Sequence, residues 1–291
     1  MTACRLPSPV LAAGEAPPVG TLERSAWDYV TTLELDAKLR PPARARTLEV
    51  AAPTRRLANP GRPPELRQAL RGLRTRNATA TALRSPMRRA QLFHTFLHHE
   101  LQAAELMCWA ILAFPETPPS FRRGLMAIAR EEVRHMNLYL EHLTVLGHAV
   151  GDFEVRDWFW ERVPGCASPA AFVATMGIGF EGGNLDHSAR FAERLLAAGD
   201  ARAAELQREV GSDEEGHVGF ALRWFRRFTG KDGFADWTSA LPAPLSPLVM
   251  RGSPLARDAR RRAGQSEAFL DELARWQPSP TASINGDPSD A

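Results

Sequence analysis

The sequence contains two copies of a Glu-x-x-His motif, one from Glu132 to His135 and the other from Glu214 to His217. Residues three positions apart share one face of an α-helix, so in each copy a carboxylate and an imidazole can reach a single metal ion. One such motif arises easily by chance among surface charges that pair within a helix. Two copies, each on the second helix of a predicted hairpin, favour a metal site.

A two-metal site in a helical bundle also needs one carboxylate from each of the two remaining helices. Glu181 lies in an apolar stretch of the third predicted helix, and the first offers Glu100 and Glu105. Glu181 precedes Glu214 by 33 residues. Glu100 precedes Glu132 by a similar distance, 32 residues, whereas Glu105 precedes Glu132 by only 27. The matching spacing favours Glu100 as the ligand and leaves Glu105 as the alternative. The predicted ligands are Glu100, Glu132, His135, Glu181, Glu214 and His217.

Four carboxylates and two imidazoles are typical ligands of two divalent iron or manganese ions, in Fe/Fe, Mn/Fe or Mn/Mn combination. The four negative charges nearly neutralise two dications in a dry core. Without a metal, such a cluster would be costly to bury. The ligand types therefore predict a redox-active di-metal site with two iron ions as the first expectation.

Apolar periodicity predicts four long helices, over residues 86–114, 120–146, 168–199 and 200–228. The tight turn at Pro115 joins the first pair, Gly199 joins the second, and a longer crossover at 151–163 is expected to form a short helix. No segment in this region alternates with period two. The pattern predicts an all-α fold, a four-helix bundle made of two antiparallel helical hairpins.

The bundle, residues 86–230, is flanked by other segments. Residues 25–85 form an Arg/Pro-rich N-terminal extension expected to cover it, with a short helix at 25–39; residues 231–276 form a linker and a C-terminal helix at 254–276. Disorder is predicted for 1–24 and 277–291. Four glycines surround Glu181 and indicate either a π-bulge or a backbone cleared to admit a substrate or O₂, with close helix packing as the alternative: Gly177, Gly179, Gly182 and Gly183.

The overall charge of +2 hides a strongly basic stretch at residues 51–90, which has one acid, Glu65. A solvated linker is favoured over an RNA-binding segment, because no aromatic residue is interleaved to stack on bases. Three widely spaced cysteines and the lack of a long apolar run predict a cytoplasmic protein with no disulfide framework and no membrane contact. The ten arginines of this stretch are residues 55, 56, 62, 67, 71, 74, 76, 84, 88 and 89.

Several further residues lie near the predicted ligands in sequence. Glu131 and Asp213 each precede a ligand Glu and can accept the free N–H of a histidine on the opposite hairpin, with a solvated charge as the alternative. Tyr139 lies one turn after His135, where packing is favoured over a role in the site. Three histidines before Glu100 are expected on the surface or in packing, not as ligands: His94, His98 and His99.

At these motifs the chain resembles the ferritin-like family known as domain of unknown function 455. The resemblance rests on residues 98–106 (HHELQAAEL), 129–135 (AREEVRH), 213–218 (DEEGHV) and the flanking 59–63 (NPGRP), and extends over about 57–275. It implies a ferritin-like bundle with a carboxylate-bridged di-iron site and supports Glu100 over Glu105. The chain departs from the family pattern at 181–186 (EGGNLD), beside Glu181.

The function expected is that of a di-iron carboxylate oxidoreductase, which activates O₂ as co-substrate to hydroxylate or otherwise oxygenate a small molecule. Its electrons would come from a separate reductase, because no flavin or nicotinamide motif is evident. One alternative is a non-catalytic or ferroxidase-like iron-binding protein, which the long extension and the C-terminal helix disfavour. Another is a tRNA-modifying hydroxylase that uses the arginines of residues 51–90.

Overall fold

The computed structural model describes residues 15–66 and 78–278 and is all-α, with no β-strand in these two ranges. The chain divides into two compact units, Met1–Ala69 with Phe93–Pro164 and Leu70–Leu92 with Gly165–Ala291. Disorder is predicted for both ends of the chain, and most of these two ends lies outside the described residues. The same is true of four of the arginines, residues 67, 71, 74 and 76. Within the described ranges, no helix is both long enough and apolar enough to cross a membrane.

The first unit begins with helices α1 (Leu22–Thr31) and α2 (Leu35–Lys38). The sequence predicts a single helix over 25–39, but the chain becomes extended at Thr32, so the prediction is wrong there. The α1 helix starts earlier than predicted because the Thr21 side chain caps it, accepting a hydrogen bond from the Arg24 amide at 3.1 Å.

Helices α3 (Pro86–Ala113) and α4 (Pro119–Val145) form the first hairpin, as predicted. The unit boundary falls within α3, so its residues from Phe93 onward belong to the first unit. Near the open end of the hairpin, the Phe93 ring lies 5.6 Å from that of Tyr139 and 4.5 Å from that of His142. The second helix is predicted to start at residue 120, but α4 starts at Pro119, whose fixed φ suits the first helical position.

The crossover does not form the helix predicted over 151–163. Residues 158–162 are turns, followed by a 3₁₀-helix at Val163–Gly165. The helix-like backbone bonds here run from the Glu161 amide to the Asp157 carbonyl at 2.9 Å and from the Val163 amide to the Phe159 carbonyl at 2.8 Å. Pro164 follows directly and has no amide hydrogen to continue a helix.

In the second unit, α5 (Pro169–Val173), a π-helical segment (Ala174–Glu181) and α6 (Gly182–Ala197) follow each other without a break. This stretch corresponds to the third predicted helix, and the π-bulge indicated by its glycines is confirmed. It packs against α7 (Ala201–Thr229) as the second hairpin. Three helix ends lie within one residue of the predicted bounds at 168, 200 and 228: the Ser168 and Asp200 side chains cap helix starts, and Gly230 ends α7 with φ 72°.

The C-terminal part of the second unit holds more helices than predicted. Helix α8 (Phe234–Ala240) and a 3₁₀-helix (Pro247–Met250) lie in the predicted linker. The helix predicted over 254–276 is two helices, α9 (Arg257–Arg262) and α10 (Glu267–Arg275). They are separated at Gly264, whose φ of 105° is incompatible with a continuous helix.

Candidate metal centre

Four buried side chains are of the types that hold metal ions: Glu100, Glu132, His135 and Glu214. Glu132, His135 and Glu214 have no exposed surface, and Glu100 is 5% exposed. Glu100, Glu132 and His135 lie in the first unit and form a Glu/His group that could hold a metal ion, whereas Glu214 lies in the second unit. The other two predicted ligands, Glu181 and His217, are also buried but are not in this group.

Three of these side chains belong to the first hairpin, in which α3 carries Glu100 and α4 carries Glu132 and His135. Each offers one ligand atom, and these atoms lie within 4.8 Å of one another. His135 Nδ1 lies 3.2 Å from Glu132 Oε2, which is about the distance between neighbouring ligand atoms bound at about 2.1 Å to one ion. The i, i+3 spacing on a regular helix is sufficient to create this pair.

The second hairpin carries an equivalent pair on α7. His217 Nδ1 lies 2.8 Å from Glu214 Oε2, and both side chains are buried. The other carboxylate oxygen of Glu214, Oε1, accepts a hydrogen bond at 3.3 Å from the side-chain nitrogen of Asn184, on α6. Asn184 therefore restricts the rotation of the Glu214 carboxylate and leaves Oε2 facing the histidine.

Glu181, the sixth predicted ligand, is the last residue of the π-helical segment and is 4% exposed. The glycines around it make close contacts with the rest of the second unit. A Cβ at position 177 would lie 2.2 Å from that of Ala221 on α7, and one at 179 would lie 2.6 Å from the Met250 sulfur. The π-bulge and the close packing, posed as alternatives from sequence, occur together.

Glu105, the alternative to Glu100, has a different set of partners. Its Oε1 lies 2.7 Å from Lys38 Nζ and 2.5 Å from an Arg62 nitrogen, and its Oε2 accepts a hydrogen bond from the Trp160 indole at 2.8 Å. Lys38 and Glu105 have fully buried side chains. Both oxygens of Glu105 are thus engaged by the N-terminal extension and the crossover.

Asp157 extends this network to His98. Arg62 contacts both Asp157 and Glu105, and His98 Nε2 lies 2.9 Å from Asp157 Oδ1. Burial would raise the pKa of Asp157, but Arg62 and His98 outweigh it and hold the pKa well below its usual range. For Lys38 the balance is opposite, because burial lowers its pKa despite the attraction of Glu105. Asp157 is therefore an anion that engages one ring nitrogen of His98, and His98 is not a member of the Glu/His group.

The remaining predicted neighbours are mostly engaged in packing. His94 accepts a hydrogen bond from the Gly151 amide at 3.0 Å, and the His99 ring lies 5.1 Å from that of Phe159. Tyr139 is buried against Phe93 and Phe96. Glu131 is exposed and Asp213 half-buried, and the expectation that they bind histidines of the opposite hairpin stays a prediction.

The arginines considered for RNA binding include two that are engaged internally. Arg55 forms two hydrogen bonds to the Glu49 carboxylate, at 2.6 and 2.9 Å, and Arg62 pairs with Glu105 as described. Arg55 is 4% exposed and Arg62 7% exposed, so neither guanidinium is available to a phosphate backbone. Arg56 lies over the Trp109 and Phe114 rings.

The cluster around Glu105, formed by Lys38, Arg62, Asp157 and Trp160, was not predicted from the sequence. Its members are far apart in the chain, and a charged residue carries no periodic signal that it is buried. One signal existed: Lys38 is one of two lysines, with Lys231, in a chain that otherwise uses arginine. A lysine that is retained in such a chain is a candidate for a specific internal contact.

A family model described as protein of unknown function (DUF455) matches residues 28–271, which include both hairpins and the Lys38 cluster. The chain belongs to the DUF455 family. It is similar to an uncharacterized protein of Haemophilus influenzae (strain ATCC 51907 / DSM 11121 / KW20 / Rd), with 27% identity over 192 residues. The alignment covers 62% of this chain and 66% of that protein, so the chain spans slightly less than two thirds of its relative. No solved structure significantly matches this chain.

Proposed function

We propose that this DUF455 protein is an oxidoreductase with a di-metal carboxylate centre, most simply di-iron, that activates O₂ to oxygenate an organic substrate. The observation that supports the proposal is the repeated buried contact between the glutamate and histidine of each Glu-x-x-His motif. In both hairpins the histidine Nδ1 approaches the carboxylate, at 3.2 Å in one and 2.8 Å in the other. An accidental surface motif would leave these side chains in solvent.

We propose further that the two hairpins form a ferritin-like four-helix bundle with one shared centre. The sequence repeat supports this arrangement, because each hairpin contributes a glutamate and then, about 30 residues later, a Glu-x-x-His. The first would contribute Glu100, Glu132 and His135, and the second Glu181, Glu214 and His217. Six ligands from four helices would satisfy two metal ions.

The donor set fits iron or manganese better than zinc or calcium. Structural zinc sites commonly use cysteine, and the two described cysteines, Cys108 and Cys166, are buried apart from these motifs. Calcium takes oxygen ligands almost exclusively, which disfavours two imidazoles. Two ferrous ions would supply the electrons for the reduction of O₂, and the protein would supply a dry and pre-formed donor set.

The residues of the chain have separate tasks in this proposal. The histidines and glutamates bind metal, Asn184 orients Glu214, and the Glu105 cluster fixes the extension against α3. Such a cover limits the access of water to the first hairpin, which favours an enzyme over a simple iron-binding bundle. A separate electron-donating reductase and a small organic substrate complete the proposed reaction.

The test is elemental analysis of the protein after anaerobic loading with ferrous iron. We expect about two irons per chain in the wild type and loss of one or both in Glu132→Ala and Glu214→Ala. Glu141→Ala and Glu205→Ala are matched controls on the same two helices, because both glutamates are exposed. Full metal content in Glu132→Ala or Glu214→Ala, or none in the wild type, would reject the centre.

The oxygenase part of the proposal requires a second measurement. The ferrous protein is mixed with O₂ and its visible absorption is followed by stopped flow. A transient band that is lost in Glu132→Ala supports O₂ activation at the centre. Bound iron that gives no absorbance change with O₂ would contradict this part and leave the metal site intact.

A further inference from the structure

The π-helical segment that ends at Glu181 is enclosed by the C-terminal part of its own unit. At its start, the Ala174 carbonyl accepts a hydrogen bond from the Trp237 indole of α8 at 2.8 Å. In its middle, Gly179 faces the Met250 side chain, and just after it Gly183 faces the Met250 backbone. Met250 has no exposed surface. The π-helical segment is thus contacted by α8 and by the part of the chain after α8 that contains Met250.

A buried ion pair fixes this arrangement. The Arg260 guanidinium donates two hydrogen bonds to Asp186 of α6, at 2.9 and 2.8 Å, and neither side chain is exposed. Asp186 also accepts the Gly252 and Ala256 amides, each at 2.7 Å. One carboxylate, five residues after Glu181, therefore binds the C-terminal segment at three points.

Arg260 also touches the chain directly beside Glu181. A Cβ at position 182 would lie 3.3 Å from one of its guanidinium nitrogens, and another nitrogen donates to the Met250 carbonyl at 3.3 Å. A π-helix is intrinsically less favourable than an α-helix and persists where its surroundings hold it. The glycines and the C-terminal segment are these surroundings.

From these contacts we infer that residues 247–262, which we name the clamp segment, position Glu181 for metal binding. Arg260 and Met250 are its positioning residues. The inference rests on the proposed function, because it takes Glu181 as a ligand. By linkage, an element that holds a ligand in its binding conformation is itself stabilised when the metal binds. Metal binding at Glu181 and docking of the clamp segment are therefore coupled.

A paired substitution tests the contact without deleting charge. Gly179→Val adds a branched side chain that collides with Met250, and Met250→Ala opens space for it. The Ala174 carbonyl oxygen, 3.1 Å from a Cβ at position 179, must shift slightly in both variants. We expect Gly179→Val to weaken ferrous iron binding by about 10- to 100-fold, the usual effect of losing a residue that orients a ligand. The double variant should recover most of the affinity. Gly165→Val is the control, because a Cβ there has no neighbour within 4 Å.

Hydrogen exchange followed by mass spectrometry provides a readout that needs no catalysis. Amides of residues 174–183 should exchange faster in metal-free Gly179→Val and return to the wild-type rate in the double variant. In the wild type, adding ferrous iron should slow exchange over residues 247–262. Arg260→Lys is a second variant, which retains a cation and loses the paired hydrogen bonds. It should show the same weaker iron binding and faster amide exchange, and it keeps the test available if Gly179→Val does not fold.

The outcomes separate this inference from the proposed function. If the wild type, Gly179→Val and Arg260→Lys all bind iron equally well, the positioning role of the clamp segment is rejected and the proposal of a metal centre is unaffected. If the wild type binds no iron, both proposals are rejected. Reduced affinity that the double variant restores, with matching exchange rates, supports the clamp.

Discussion

The Lys38 ammonium nitrogen lies 2.7 Å from Oε1 of Glu105, and neither side chain is exposed to solvent. Lys38 also donates to the carbonyls of Tyr29 and Val30, at 2.7 and 3.0 Å, so all three of its hydrogens have acceptors. With Arg62 and Trp160 on the same carboxylate, Glu105 connects the extension, the crossover and α3. A glutamate near the predicted ligands therefore serves the stability of the first unit.

Glu105→Ala is expected to lower the free energy of unfolding by about 3–5 kcal/mol, because it leaves Lys38 and Arg62 as buried charges without their common partner. Urea denaturation at neutral pH measures the change. Glu116→Ala, an exposed glutamate in the loop after α3, should change stability by less than about 0.5 kcal/mol. Equal effects of the two substitutions would show that the buried network contributes little.

Glu100→Ala is expected to reduce the iron content of the protein more than Glu105→Ala does. Glu100 belongs with Glu132 and His135 to the group that could hold a metal ion, whereas Glu105 is engaged by cations and an indole. Both variants are loaded with ferrous iron at low temperature, where circular dichroism confirms that they are folded. The opposite ranking would transfer the ligand role to Glu105.

The sequence was informative where local chemistry decides the structure. Ser168 and Asp200 start helices because their side chains accept hydrogen bonds from free amides, at 3.1 and 3.0 Å. The glycines near Glu181 indicated a π-bulge as one of two alternatives, because each glycine weakens a regular helix. The Glu-x-x-His pairs followed from helical geometry alone, and their contacts occur in both hairpins.

Elements that depend on distant contacts were not predictable. The crossover has the apolar residues of a helix, yet Trp160 is instead directed to Glu105 by an indole hydrogen bond. Helix α8 was missed because its buried aromatic residues, Phe234 and Trp237, are covered by Phe269 of α10, about 30 residues later in the chain. Apolar spacing reports which face of a helix is buried, but it does not identify the partner.

Gly61→Ala should detach part of the N-terminal extension from α1. A Cβ at position 61 would lie 2.3 Å from the Thr31 carbonyl oxygen and 2.5 Å from that of Thr32, both rigid backbone atoms. The Gly61 amide, which donates to the Val30 carbonyl at 2.8 Å, would be displaced with it. We expect a loss of about 1–3 kcal/mol in the free energy of unfolding, as for other overpacked sites.

Limited proteolysis locates this effect. Cleavage within residues 40–66 should be faster in Gly61→Ala than in the wild type, whereas Gly165→Ala, whose Cβ meets no atom within 4 Å, should be cut at the wild-type rate. Unchanged cleavage and unchanged stability in Gly61→Ala would mean that the close approach of the two backbones is not needed.

His94 is expected to make the protein less stable in mild acid. Burial, helped by nearby His98, lowers its pKa to about 4 from the ordinary 6.5. Its neutral ring accepts the Gly151 amide hydrogen, so protonation removes that bond. Because the pKa is depressed in the folded state, the stabilisation is present above about pH 6.5 and is lost as the pH falls toward 4.

His94→Gln retains an acceptor for the Gly151 amide but does not titrate. The free energy of unfolding is measured in urea at pH 7 and pH 5 for both proteins. We expect the wild type to lose up to about 2 kcal/mol more than the variant between these two values, since one pKa unit corresponds to about 1.4 kcal/mol. Equal losses in both proteins would place the acid sensitivity elsewhere, with the half-buried His187, whose pKa is also lowered to about 4, as the next residue to substitute.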